Sequence, residues 1–371
     1  MYLKPSLMTI AISSLISANI AIANPNQSQV MFITNPNVHA TTAYWTPERM
    51  RDATPMDLPK ANPADIKKVT IEEIMQKYKY SKPGIVDAAA PTVEVTPDTH
   101  QIFKPQAEKL TNTLDAGSLN EQFSSQRLVP VTADLTYPYS TAGKLFFTTP
   151  TGNKTCSGAV IGKRLIVTAG HCMHNGNGVG SGYYSNFMFV PAYRNGTAPY
   201  QEWQFTLAGV TNQWYYGGGI VPNAYDYGMF LVADQTVNGK VVSIGSLVGT
   251  LGIKTLSTIP NHAHILGFPG NLDGGNEMHQ VTAQSAIAVA PNNAEYGSDM
   301  STGAGGGPWI QNFGPASTGE TGGTNPGRNF LIGLTSYGYN DTVSLGNGSP
   351  ILDSNFISFY DFFCAQGTGN C

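Results

Sequence analysis
Residues Leu165 to Cys172 read Leu-Ile-Val-Thr-Ala-Gly-His-Cys, and a second cysteine, Cys156, stands 16 positions before the last of them. Four strand formers, Leu165 to Thr168, precede Ala169 and Gly170, which are small enough for a tight turn that presents His171 at the strand's end. Residues 157–164 supply most of a hairpin between the cysteines. A disulfide from Cys156 to Cys172 would therefore pin the histidine loop to the strand before it. Closing a loop of that length contributes roughly 3 kcal/mol in the chain-entropy account. The segment commits its neighbourhood to β-structure with an imidazole held at its mouth.

The 371 residues are not uniform. Residues 1–127 carry 12 Lys and Arg and 12 Asp and Glu, whereas the 244 residues that follow carry only 8 and 12. The later part is rich in Gly, Thr, Ser, Tyr and Asn between short apolar runs, the composition of an all-β domain with many turns. Strands are expected over residues 143–148, 159–161, 165–168, 228–232, 262–268 and 330–335. Its acidic excess, with no basic patch, argues against nucleic acid as a partner.

At the start of the chain, Lys4 precedes an apolar stretch from Leu7 to Ala18, and Ala21-Ile22-Ala23 has the small-x-small pattern of a signal-peptidase cut. Residues 1–23 thus read as a secretory signal, and the protein is expected outside the cell. No segment approaches the roughly 20 apolar residues of a membrane span, so no membrane partner is expected. Export makes the four cysteines credible disulfides, Cys156 with Cys172 and Cys364 with Cys371. Metal ligation is the competing use of these sulfurs, but no Cys-x-x-Cys occurs, and neither metal nor cofactor is expected.

Residues 24–127 read as a propeptide. Residues 44–51 and 55–59 are short apolar anchors between prolines, suited to an extended segment lying on a partner surface. Thr70-Ile71-Glu72-Glu73 has capping-box spacing and opens a helix of about ten residues that should end before Pro83. A disordered secreted tail is the competing reading. Cutting after Arg127 would release residues 128–371 as the mature domain.

Two further segments carry chemistry. Asp226 stands just before the apolar run Tyr227 to Val232; Asp234, beyond that run in a turn-like context, is the weaker candidate for the same role. Gly303-Ala304-Gly305-Gly306-Gly307-Pro308 is a glycine-rich turn whose main-chain N–H groups could hold an oxyanion. Together with the histidine segment, these residues resemble the trypsin-like serine endopeptidases over about residues 128–371.

The resemblance implies two packed six-stranded antiparallel β-barrels, a monomer, a peptide or protein substrate, and the chain's own propeptide as partner. It makes His171 the general base, Asp226 the residue that orients it, and the N–H groups of Gly303 and Gly305 the oxyanion donors. It also places the nucleophilic serine at position 305, where this chain has glycine. Without a hydroxyl there, His171 has no proton to accept, and only oxyanion-hole and binding contributions remain, on the order of 10³ to 10⁴ over water. Ser301, four positions earlier, is read as a structural hydroxyl. The expectation is a hydrolase crippled at one side chain; the alternative is a secreted pseudopeptidase that holds peptides or an inhibitor without cutting.

Substrate choice is drawn from the same resemblance. Asp299 lies where trypsin-like relatives place the acid that receives Lys or Arg, with Thr335, Ser336 and Gly338 along the pocket wall. Secreted bacterial glutamyl endopeptidases are similar in their small cysteine complement and in lacking an acid at position 304, which is alanine here. They place a histidine where this chain has Thr335, so a preference for basic side chains is expected.

Overall fold
The computed structural model describes residues 19–21, 30–100, 122–315, 323–339 and 345–371; most of the expected signal sequence lies outside them. Six strands follow one another through the first half of the described β-region: Ala142–Thr149 (β1), Gly152–Val160 (β2), Leu165–Thr168 (β3), Ser185–Pro191 (β4), Trp203–Thr211 (β5) and Gly228–Val232 (β6). Antiparallel pairing in the order β5-β4-β1-β2-β3-β6, with β6 returning to β5, closes them into a barrel. A second set comprises His262–Gly267 (β7), His279–Val289 (β8), Asn293–Gly297 (β9), Pro308–Gln311 (β10), Phe330–Leu334 (β11) and Gly346–Pro350 (β12). Their order is β12-β9-β8-β7-β10-β11, and the Ser336 N–H donating to the Gly348 carbonyl at 2.9 Å links the two ends.

Side-chain alternation explains why the apolar runs are unbroken. Along β1, Leu145 and Phe147 enter the first barrel's interior, and Phe146 faces a second cluster shared between the barrels. In β3, Ile166 points inward while Leu165 and Val167 point to the shared cluster. Met229 and Leu231 of β6 join that shared layer, and Phe230 and Val232 the interior. A strand buried on both faces needs apolar residues at every position, not at alternate ones. From the other side the shared layer receives Leu266, Phe268, Ile310 and Leu331, so the barrels pack through one continuous core.

The chain's last helix, Ser354–Cys364, sits against this layer through Phe356, Phe359 and Phe363. Beyond it the Cys364–Cys371 disulfide closes a short loop. The carbonyl of Asn370 in that loop accepts from the Arg164 N–H of the first barrel at 2.9 Å.

Residues 30–100 lie across both barrels. Val30–Thr34 adds an antiparallel strand to β5, and Pro47–Asp52 forms a helix capped by Thr46. Trp45 is buried against Phe146, its indole N–H donating to the Asn186 carbonyl at 2.6 Å. The capping box at Thr70 is present, and its helix, Ile71–Lys77, is shorter than the sequence suggested: Tyr78 leaves helical geometry while its hydroxyl bonds to Asn292. Further on, Phe123–Arg127 adds a strand to β8.

Candidate active site
β3 ends in a single tight turn, Gly170–Cys172, that turns His171 toward the junction of the barrels. Three ties hold it. The Cys156–Cys172 disulfide joins the turn to β2 with Cα atoms 6.3 Å apart, the His171 main-chain N–H donates to Asp226 Oδ1 at 2.8 Å, and His171 Nδ1 lies 2.8 Å from Asp226 Oδ2. Both side chains are buried. With Asp226 accepting at Nδ1, the neutral ring carries its proton there and presents Nε2 as an acceptor. Ser336 Oγ donates to Asp226 Oδ2 at 2.6 Å, which fixes the carboxylate from the second barrel.

Nε2 is buried and makes no hydrogen bond among the described residues. It faces Gly305. A Cβ built on Gly305 would lie 2.4 Å from Nε2 and 3.1 Å from Cys172 Sγ. The imidazole therefore leans into space that a side chain at 305 would claim. Gly306, with φ +78°, leaves no such latitude: a Cβ there would fall 2.1 Å from Thr168 Oγ1.

The turn itself is held by the first barrel. Ser157 Oγ donates to the Gly303 carbonyl at 2.9 Å, and the Ser157 N–H donates to the Gly305 carbonyl at 2.8 Å. Gly303 adopts φ +82°, a left-handed conformation that favours glycine. Its N–H donates to the carbonyl of Met56 at 2.7 Å. Ser157 carries no local sequence signal, because its role depends on a register between distant segments.

The remaining candidates separate. Ser301 Oγ is bonded to Asn271 Oδ1 at 2.7 Å, and Asp234 forms a two-pronged pair with Arg164 at 2.6 and 2.7 Å. Thr335 is fully buried, its hydroxyl accepting from the Trp309 indole at 3.0 Å, and its carbonyl accepts from the Gly306 N–H at 2.8 Å. Asp299 is buried, and its carbonyl accepts from Asn271 Nδ2 at 2.9 Å. Gly338 lies in the short strand Gly338–Tyr339, two positions after Ser336. Both disulfides are formed, so Cys156 and Cys172, the sulfurs nearest His171, are not available as metal ligands. His262 and His264 meet edge to face with ring centroids 5.8 Å apart, and burial, then its neighbour His262, lowers the His264 pKa to about 4.

Two antiparallel barrels with a histidine, an aspartate and a glycine turn gathered at their junction define the trypsin-like serine protease fold. No model of a known protein family matches the chain. Over 209 residues it is 27% identical to a glutamyl endopeptidase of Bacillus licheniformis, a match covering 55% of this chain and 59% of that protein. Among solved structures, the protease Anisep from Arthrobacter nicotinovorans is similar at TM-score 0.50 and 26% identity, covering 64% of this chain and 98% of that one. A Glu endopeptidase structure shares the fold at TM-score 0.50 and 18% identity, covering 65% of this chain and 97% of its own.

Proposed function
We propose that this chain is a secreted serine-endopeptidase-type protein whose hydrolytic machinery is complete except for the nucleophile. The observation that supports it is the orphaned Nε2 of His171, oriented by Asp226 and aimed at the α-carbon of Gly305. With a serine at 305, His171 would take the hydroxyl proton as oxygen attacks the peptide carbonyl, then return it to the leaving amine. Water would repeat the cycle on the acyl-enzyme, and the N–H groups of Gly303 and Gly305 would stabilise each oxyanion. As glycine, position 305 allows binding without the covalent step.

Residues 1–23 act in this reading as a signal, 24–127 as a propeptide and 128–371 as the mature, monomeric domain. The two formed disulfides support export, and no helix among the described residues is long and apolar enough to cross a membrane. A Lys or Arg preference rests on Asp299, while similarity to a glutamyl endopeptidase supports an acidic one. A second reading, a pseudopeptidase that holds peptides uncut, is favoured by Gly305 itself.

The test compares the secreted chain as written with its Gly305→Ser variant, each before and after limited proteolysis of residues 24–127. Labelling by a serine-directed fluorophosphonate and hydrolysis of Lys, Arg and Glu peptides are measured. Activity confined to the variant supports the peptidase reading. Equal activity in both would show that the nucleophile is elsewhere, and none in either would favour the binding role.

A further inference from the structure
Residues 53–61 run through the junction of the barrels as an extended strap. Its first half, Thr54–Pro55, pairs in parallel with Lys154–Thr155 of β2, and the Met56 N–H donates to the Thr155 carbonyl at 2.9 Å. The second half, Lys60–Ala61, pairs in parallel with Gly338–Tyr339, and the Gly338 N–H donates to the Pro59 carbonyl at 3.1 Å. Between them the Met56 carbonyl takes the N–H of Gly303, an oxyanion donor in the proposed mechanism. Gly270 and Gly303 leave room for Pro55, whose atoms lie 2.7 and 3.0 Å from where their Cβ atoms would be. Ala53, Leu58 and Ala61 are buried.

The geometry points to this strap as an intramolecular plug that fills the cleft with the wrong polarity for cleavage, an inference that rests on the peptidase reading of the cleft. A cleavable peptide must place its leaving amine within reach of His171, because that ring returns the proton. The strap does the reverse. The chain entering Met56 lies on β2, beside the disulfide that anchors the histidine turn, and the chain leaving it heads for Gly338 on the other barrel. Its Met56–Asp57 bond is thus presented with acyl and amine sides exchanged.

Parallel pairing is somewhat weaker per residue than antiparallel, so an isolated peptide of this sequence would be a modest ligand. Three features offset that weakness. Pro55 and Pro59 restrict the free strap to extended conformations, reducing the entropy lost on docking. Buried Trp45 and Met50 anchor the chain just before it. Tethering also gives the strap an effective concentration on the order of millimolar, which a micromolar substrate cannot match.

Amide hydrogen exchange on the full chain as written reads the plug without catalysis. Leu58→Asp, and Met56→Pro, which deletes the N–H donated to Thr155, should each speed exchange at Gly303 and Gly338 by about tenfold or more. Exchange in β3 should not move, which also verifies that the barrel is folded. In the Gly305→Ser background the same changes should raise the rate of fluorophosphonate labelling about tenfold. Unchanged exchange at Gly303 and Gly338 in both folded variants overturns the plug. So does self-cleavage of the Gly305→Ser chain between Met56 and Asp57, which would make the strap a substrate. Faster exchange with no labelling in any variant supports the plug and defeats the peptidase reading instead.

Discussion

The Ser157 hydroxyl donates to the Gly303 carbonyl at 2.9 Å, so a residue of the first barrel sets the turn that the second barrel presents to His171. The same oxygen accepts from the Phe268 N–H at 2.9 Å. Ser157→Ala leaves both main-chain groups buried without this partner, at an expected cost of about 1–3 kcal/mol read from urea unfolding. In the Gly305→Ser background it should lower kcat more than it raises KM, because the loosened turn serves the transition state and not ground-state binding.

Position 305 discriminates between a methyl and a hydroxymethyl group. A Cβ 2.4 Å from His171 Nε2 forces the imidazole back toward Asp226. Gly305→Ala makes that demand and returns nothing, so it should destabilise the fold by about 1–3 kcal/mol. Gly305→Ser makes the same demand but supplies Nε2 with a hydrogen-bond donor, worth about 1 kcal/mol. Serine should therefore be the more stable of the two variants in parallel denaturant titrations, and the reverse order would mean that Nε2 does not meet the new hydroxyl.

Replacing both Cys156 and Cys172 by alanine opens a loop with a sequence separation of 16. The expected loss is roughly 3 kcal/mol, against roughly 2 for the shorter Cys364–Cys371 loop. Only the first replacement should also broaden the His171 imidazole resonances, since only that disulfide ends beside the ring.

His264 gives the fold a specific acid sensitivity. Burial, reinforced by His262, lowers its pKa from 6.5 to about 4. Between those values the unfolded chain binds the extra proton, so stability is full above pH 6.5 and falls as the pH drops toward 4. After allowance for solvent screening the loss is on the order of 1–3 kcal/mol. His264→Gln should flatten the stability profile across that window relative to the unaltered protein, and an unchanged slope would locate the acid sensitivity elsewhere.

Much of this was legible because its signals are local. The expected strand over 165–168 coincides with β3, and the expected 228–232 run with β6, since each is a short block of strand formers beside a small or turn residue. His171, Asp226 and Gly305 lie at one junction, each on a segment with a short motif of its own. What stayed hidden depends on pairing between distant segments. Neither the ties from Ser157 to the turn more than 140 positions later nor the course of residues 53–61 leaves a periodic mark. The helix Ser354–Cys364 also bears a local signal: Asp353 caps it, and Phe356, Phe359, Tyr360 and Phe363 carry helical spacing.

That helix and the loop behind it complete the first barrel with chain that follows the second. Arg164 waits for the Asn370 carbonyl, and the layer around Phe146 and Met229 waits for Phe356 and Phe359. Severing the chain between the barrels should therefore yield two sticky fragments in place of two domains.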